Sequence, residues 1–228
     1  MSILVINPNS SQKVTDNLEK ILVAPPGIEL AFYTGPPEAP KEIDGERTLR
    51  LSEKAVLPDL LKKNLHTKYL GYLVCCYSDH PLVHSLAKET KAPVLGIMQA
   101  TLLYSYANAR LNKSFVLTST SGWNALLDAA IVSFTGTETF PSKKFQRTRA
   151  LDVLVLSLSD PEEFKKITDR VEKFLHEYRD DDIDCVLLGC AGMAGLDEKL
   201  TAKFPGIVFV DSVKIGVEFL TGLMHFHQ

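Results

Sequence analysis

The chain of 228 residues has little of what marks several protein classes. Its four cysteines are too sparse for a disulfide scaffold, and none stand in the paired C-x-x-C spacing of a zinc site. An excess of basic residues is missing. Lys and Arg number 25 against 28 Asp and Glu, a net charge of −3, so nothing pulls the chain globally towards nucleic acid or anionic lipid. Long hydrophobic runs are missing as well. The longest, around Tyr69 to Tyr77, is about half a membrane span. Ile3 to Ile6 is too short for a signal core and has no basic residues before it. No membrane partner is expected, and the N-x-Ser patterns at Asn9 and Asn112 carry no glycosylation meaning. The reading is a cytoplasmic protein with reduced thiols. No Gly-x-Gly-x-x-Gly follows the first strand, no lysine stands in a pyridoxal phosphate setting, and His225-x-His227 reads as a chain tail. Neither a cofactor nor a metal is expected.

What is present is 45% hydrophobic residues arranged as short β-rich runs alternating with helical periods, the signature of an α/β fold. Ile3 to Ile6 reads as a strand ending in the polar turn Asn7-Pro8-Asn9-Ser10-Ser11. Val14, Leu18, Ile21 and Leu22 then give one apolar helix face, stopped by Pro25-Pro26-Gly27. Ile28 to Tyr33 is the next strand, and residues 35 to 47 read as a loop. Leu70 to Cys76 is nearly all apolar, as a central parallel strand covered on both faces should be. Pro93 to Ile97 is another short strand. The order then repeats. Phe115 to Leu117 runs into Thr118-Ser119-Thr120-Ser121-Gly122, and Asp152 to Leu158 looks like a strand. Asp160-Pro161-Glu162-Glu163 opens a helix with an N-cap, a first-position proline and first-turn acids. Asp184 to Leu188 and Ile207 to Val210 complete the set. The acids Asp180, Asp181, Asp182 and Asp184 read as a solvated turn.

The halves align. Cys76 lies 69 residues after Asn7, and Cys190 lies 72 residues after Thr118. Each ends an apolar strand, and each is followed by a proline that precedes the next strand, Pro93 and Pro205. An internal duplication follows. The expected architecture is two pseudo-symmetric α/β domains with central parallel sheets flanked by helices, 1–97 plus 207–228 and 98–206. Ligands of parallel sheets sit beyond the carboxyl ends of the strands, so the active site is expected in a cleft holding Cys76 and Cys190. Turn amides after each cysteine, around Tyr77 and Ser78 and around Ala191 and Gly192, are suited to stabilising a thiolate or an oxyanion. A thiolate base on one face of a carbon and a thiol acid on the other is a pair suited to moving a proton across it. Taken by themselves, buried cysteines are more often packing residues. Cys75 and Cys185 are read so.

At three places, Ile6-Asn7-Pro8-Asn9-Ser10, Cys76-Tyr77-Ser78-Asp79 and Leu188-Gly189-Cys190-Ala191-Gly192-Met193, the chain resembles the aspartate/glutamate/hydantoin racemase superfamily. The likeness spans essentially the whole chain and is strongest to the hydantoin and allantoin racemase branch, including fungal members. It implies a cofactor-independent isomerase, a racemase using Cys76 and Cys190 as two bases. The substrate would be a cyclic ureide such as a 5-substituted hydantoin or allantoin, with Asn9, Ser10, Tyr77, Ser78, Thr118, Ser119, Ala191 and Gly192 around it. It also implies that a C-terminal helix over about Val213 to Met224 packs back on the first domain. A homo-oligomer is expected. The chain departs from the family pattern at His80, which intervenes before Pro81, and at Gln99, where many relatives carry glutamate. Both bear on the substrate.

The local readings stay bland where the residues allow it. One of Asn9 and Ser10 is expected to cap the first helix. Asp79 is read as the cap of the helix after Cys76, and His80 as peripheral. An aspartate or glutamate racemase is the alternative enzyme, and should show a cationic group for the side-chain carboxylate. A non-catalytic small-molecule-binding or regulatory protein on the same fold is the alternative from another class.

Overall fold

The structure is a computed structural model that describes residues 1–154, 157–158 and 161–226. It divides into two compact units, residues 1–100 with 213–228 and residues 101–212.

The first unit is built on a parallel sheet of four strands, β1 (Ser2–Asn7), β2 (Glu29–Thr34), β3 (Gly71–Val74) and β4 (Val94–Gly96), in the order β2-β1-β3-β4. All four residues of β3 are buried, as the apolar run requires of a strand covered on both faces. Leu4 and Ile6 of β1, with Tyr72 and Val74 of β3, face one layer, against α2 (Glu46–Lys62) and α3 (Pro81–Glu89). α1 (Gln12–Ile21) buries Val14, Thr15 and Leu18, and Ile21 and Val217 help line a small cavity between it and α8 (Ser212–Phe226). α8 lies so close to β3 that a side chain at either of two glycines would collide. A Cβ on Gly71 would stand 2.6 Å from Met224 Sδ, and one on Gly216 would stand 2.9 Å from Leu73 Cδ1.

The second unit repeats the plan with β5 (Lys113–Thr118), β6 (Phe145–Ala150), β7 (Ile183–Gly189) and β8 (Val208–Asp211), all parallel, in the order β6-β5-β7-β8. Phe115, Leu117, Val186 and Leu188 pack under α6 (Phe164–Glu177) and α7 (Asp197–Lys203), where Ile167, Val171, Phe174 and Leu200 are buried. α5 (Asn124–Thr135) follows β5, and α4 (Ile97–Ala107) carries the chain from the first unit into the second.

Several expectations change. The boundary at 98–206 moves to 101–212, because β8 hydrogen-bonds to β7 and so belongs with the second sheet rather than with a first domain resuming at 207. The strand expected over Asp152 to Leu158 is instead β6 at Phe145–Ala150; Asp152 to Leu154 form no strand, and Val155 and Leu156 lie outside the described residues. α2 starts at Glu46, inside the segment read as loop. The cap expected at Asp160 and the tail His227 also lie outside the described residues. The C-terminal helix packs on the first unit, as expected.

Candidate active site

In each sheet the chain first runs outward from the founding strand, then returns to add strands on its other side. The direction of travel therefore reverses between β1 and β3, and again between β5 and β7. Connections leave such a junction in opposite directions, and a crevice opens beyond the strand ends there. Each unit has its own such crevice, bordered by the loops after β1 and β3 in the first and after β5 and β7 in the second.

Register places the two cysteines alike. Ile6 pairs with Val74, and the Cys75 amide donates to Ile6 O (2.8 Å), so Cys76 is the first residue past the ladder. Thr118 pairs with Gly189, so Cys190 is the first residue past the other ladder. Both are half-buried, whereas Cys75 and Cys185 are buried. Cys185 sits inside β7, and burial pushes its thiol up to about 12, which leaves it a packing residue. Cys75 has its thiol turned to Leu73 O (3.8 Å).

The loop after β1 is tied into place by its own side chains. Asn7, fully buried, donates from Nδ2 to Ser11 O and to Thr15 Oγ1, and its Oδ1 accepts from the Asn9 amide. Asn9 Oδ1 accepts the Ser11 amide (2.9 Å), and Ser10 Oγ donates to Ala39 O (2.8 Å). Neither Asn9 nor Ser10 caps α1, contrary to expectation. The N-cap is Ser11, and the Asn9 bond is a turn closing on the residue before the helix. The corresponding loop after β5 holds Thr118 and Ser119, both buried. Thr118 Oγ1 donates to Gly189 O (3.4 Å), one residue before Cys190.

The turn after β3 is stitched from within. The Ser78 amide donates to Cys76 O (3.0 Å), and Ser78 Oγ donates to Cys76 Sγ at 3.5 Å. A hydroxyl donated to sulfur favours a thiolate over a thiol. Tyr77 and Ser78 are buried. The cap of α3 is His80, not Asp79: His80 Nδ1 accepts the Leu82 amide at 3.1 Å, with Pro81 in the first turn. His80 is fully buried rather than peripheral, and burial pushes its imidazole down to about 3, so it is neutral. Asp79 Oδ1 instead receives Gln99 Nε2 (3.1 Å) from α4 and pairs with His84 Nε2 (2.9 Å) on α3.

The turn after β7 is held differently. Ala191–Met193 forms a 3₁₀ turn with buried residues, and the Met193 amide donates to Cys190 O (2.9 Å). Gly195 follows with φ +85°, a conformation only glycine adopts readily. Its amide donates to Asp211 Oδ2 (2.7 Å), a carboxylate 4% exposed at the end of β8. Sequence reasoning passed over Asp211. The available signal was an acid set directly after the apolar strand Ile207 to Val210.

Within their own units, then, Asn9 and Ser10 border the same junction as Cys76, Tyr77 and Ser78, and Thr118 and Ser119 border that of Cys190, Ala191 and Gly192. A cavity of about 640 Å³ in the first unit, lined by Leu70, Thr90, Pro93 and Met224 among others, lies before β3 and β4 rather than beyond them. It is remote from this chemistry. Among the described residues no three His, Cys, Asp or Glu side chains group as metal ligands, and no helix is long and apolar enough to cross a membrane.

The comparisons with known proteins agree with this layout. The Asp/Glu/Hydantoin racemase family matches residues 3–220, from β1 through β8 and into α8. Protein DCG1 of Saccharomyces cerevisiae is 33% identical over 239 residues, covering 98% of this chain and 96% of its own. A hydantoin racemase of Rhizobium meliloti is 26% identical over 98% of this chain and 89% of its own. An allantoin racemase from Klebsiella pneumoniae has the same fold, with a TM-score of 0.85 at 22% identity over 100% of this chain and 89% of its own. The family match over nearly the whole chain and the 33% identical relative agree, and the chain belongs to the Asp/Glu/hydantoin racemase family.

Proposed function

We propose that this protein is a racemase of cyclic ureides, 5-substituted hydantoins or allantoin, with Cys76 and Cys190 as its two acid–base groups. The observation that carries the reading is their equivalence. Each is half-buried, each is the first residue past the ladder of its sheet, and each adjoins the junction where parallel sheets gather ligands. The hydantoin and allantoin racemases among the relatives supply the substrate class.

In this mechanism one cysteine, as thiolate, takes the proton from the ring carbon next to the carbonyl. The C–H electron pair moves into that carbonyl and gives an enolate. The other cysteine, as thiol, returns a proton to the opposite face, which inverts the centre and leaves the two thiols with exchanged protonation states. Amides of the turns after Cys76 and Cys190 receive the charge developing on oxygen. Asn9, Ser10, Thr118 and Ser119 border the substrate. Every proton moved belongs to a thiol or to the substrate, so activity should persist in chelator and without added cofactor.

The test is solvent deuterium incorporation into separate enantiomers of a hydantoin panel and allantoin. The intact protein should exchange and invert both hands. Cys76→Ser and Cys190→Ser should each lose inversion but retain exchange of one hand, opposite in the two variants. Loss of exchange of the same hand in both variants would favour a single base. No exchange with any substrate of the panel would remove the racemase reading.

A further inference from the structure

We propose that His80 is a positioning residue for Cys76: an uncharged cap that starts α3 and fixes the turn carrying the thiol without setting a negative charge beside it. This rests on the reading of Cys76 as a group that works as a thiolate.

Helix N-termini are ordinarily capped by Ser, Thr, Asp or Asn, whose oxygen accepts an amide of the first turn. Here an imidazole does so. Nδ1 accepts the Leu82 amide (3.1 Å), and His80 O accepts the Val83 amide (2.9 Å), so one residue satisfies two first-turn donors with both of its acceptors. A neutral ring that accepts at Nδ1 carries its proton on Nε2. That Nε2 is buried and has no hydrogen-bond partner in the structure. A cap chosen for helix stability alone would not leave a buried donor unmet, since Asp, a stronger capping residue, has no such donor.

The difference between the two caps is charge. The turn from Cys76 to His80 already holds one carboxylate, Asp79, which is turned away to Gln99 of α4 and His84 of α3. The remaining titratable neighbours along the turn are Tyr77 and Cys75, both buried. Ser78 Oγ donates to Cys76 Sγ, and α3 begins five residues after Cys76 with its positive dipole end at the turn. An aspartate at position 80 would lay a second negative charge on that same end and oppose a thiolate. The imidazole accepts the same amide and adds none, because burial keeps it neutral.

The experiment is the pH dependence of iodoacetamide alkylation at Cys76, read by tandem mass spectrometry, in the intact protein, His80→Asn and His80→Asp. Both variants keep a capping acceptor. His80→Asn should leave the alkylation midpoint in place, and His80→Asp should raise it by about one pH unit, the scale of shift that one added like charge produces in a neighbouring group. Equal midpoints in the two variants would make His80 a plain structural cap and overturn the proposal. Should a variant fold poorly, ¹⁵N NMR of the unaltered protein decides. His80 must show an unprotonated Nδ1 and a protonated Nε2 from pH 5 to 9, and a signal titrating near pH 6.5 would overturn it. Alkylation reads Cys76 whether or not any ureide is racemised, so failure of the catalytic reading would appear in deuterium exchange and leave this result standing.

Discussion

The two cysteine turns start from the same point of the same topology and then diverge. After β3 the chain makes a turn of Cys76 to His80 and enters a nine-residue helix capped by a neutral imidazole. After β7 it makes a 3₁₀ turn and a left-handed glycine, anchored by the buried Asp211 carboxylate on the neighbouring strand. The ladder positions are duplicated and the loops are not. Placement of a side chain past a strand end is a property of the sheet, which hydrogen-bond register repeats faithfully. The way that side chain is held is left to loops, where different local chemistry can serve the same end.

If the shared placement matters most, removing either thiol should do equal harm. Cys76→Ser and Cys190→Ser should each lower the racemisation rate by on the order of 10³-fold or more, measured as loss of optical rotation, since through-transfer needs both groups. A hundredfold difference between them would break the symmetry.

The anchors come next. Asp211→Ala leaves the Gly195 amide without its acceptor and should cost about 2–3 kcal/mol in urea unfolding, as for a lost bond to a buried charged group. Its activity loss should track Cys190 and spare the half-reaction of Cys76. Uniform loss of both half-reactions would show that the anchors are not private to their own turns.

His80 should give the first unit a pH sensitivity of its own. Its folded value of about 3 lies below the ordinary 6.5, so between those values the unfolded chain binds the extra proton. Stability is therefore complete above pH 6.5 and falls as pH drops through the window, by about 2 kcal/mol at pH 5. Thermal melts at pH 7 and pH 5 should show this slope, and His80→Asn should remove it.

The smallest effect is expected where the units match trivially. Glu46–Arg50 on α2 and Lys165–Asp169 on α6 are exposed i,i+4 pairs, one per unit. Neither Glu46→Gln nor Asp169→Asn should shift the unfolding midpoint measurably.

What could be read from sequence follows from where burial writes a pattern. β3 and β7 are covered on both faces, and their apolar runs announced them together with the cysteines that follow. β6 escapes the sequence pattern because four of its six residues, Gln146, Arg147, Thr148 and Arg149, are polar and it lies at a sheet edge, while the more apolar Val153 to Leu156 drew the assignment. The capping roles failed for a different reason. Asp79 has the commoner capping side chain and His80 the rarer one. The choice between them turns on Gln99 and His84, which reach Asp79 from 20 and five residues away. Asn9 and Ser10 likewise look like caps in isolation, and are drawn instead into bonds with Ser11 and with Ala39, which comes from beyond the next strand.

The tight seat of α8 on Gly71 and Gly216 bears on how the chain is made. The second unit is one uninterrupted stretch, 101–212, whereas the first is completed by residues from 213 onward. During synthesis from the N-terminus the second unit can close as soon as it emerges. The first must wait with the sheet face that α8 covers at Leu73 incomplete until α8 itself leaves the ribosome. A nascent chain paused near residue 212 thus pairs a finished unit with one whose sheet still lacks its last covering helix.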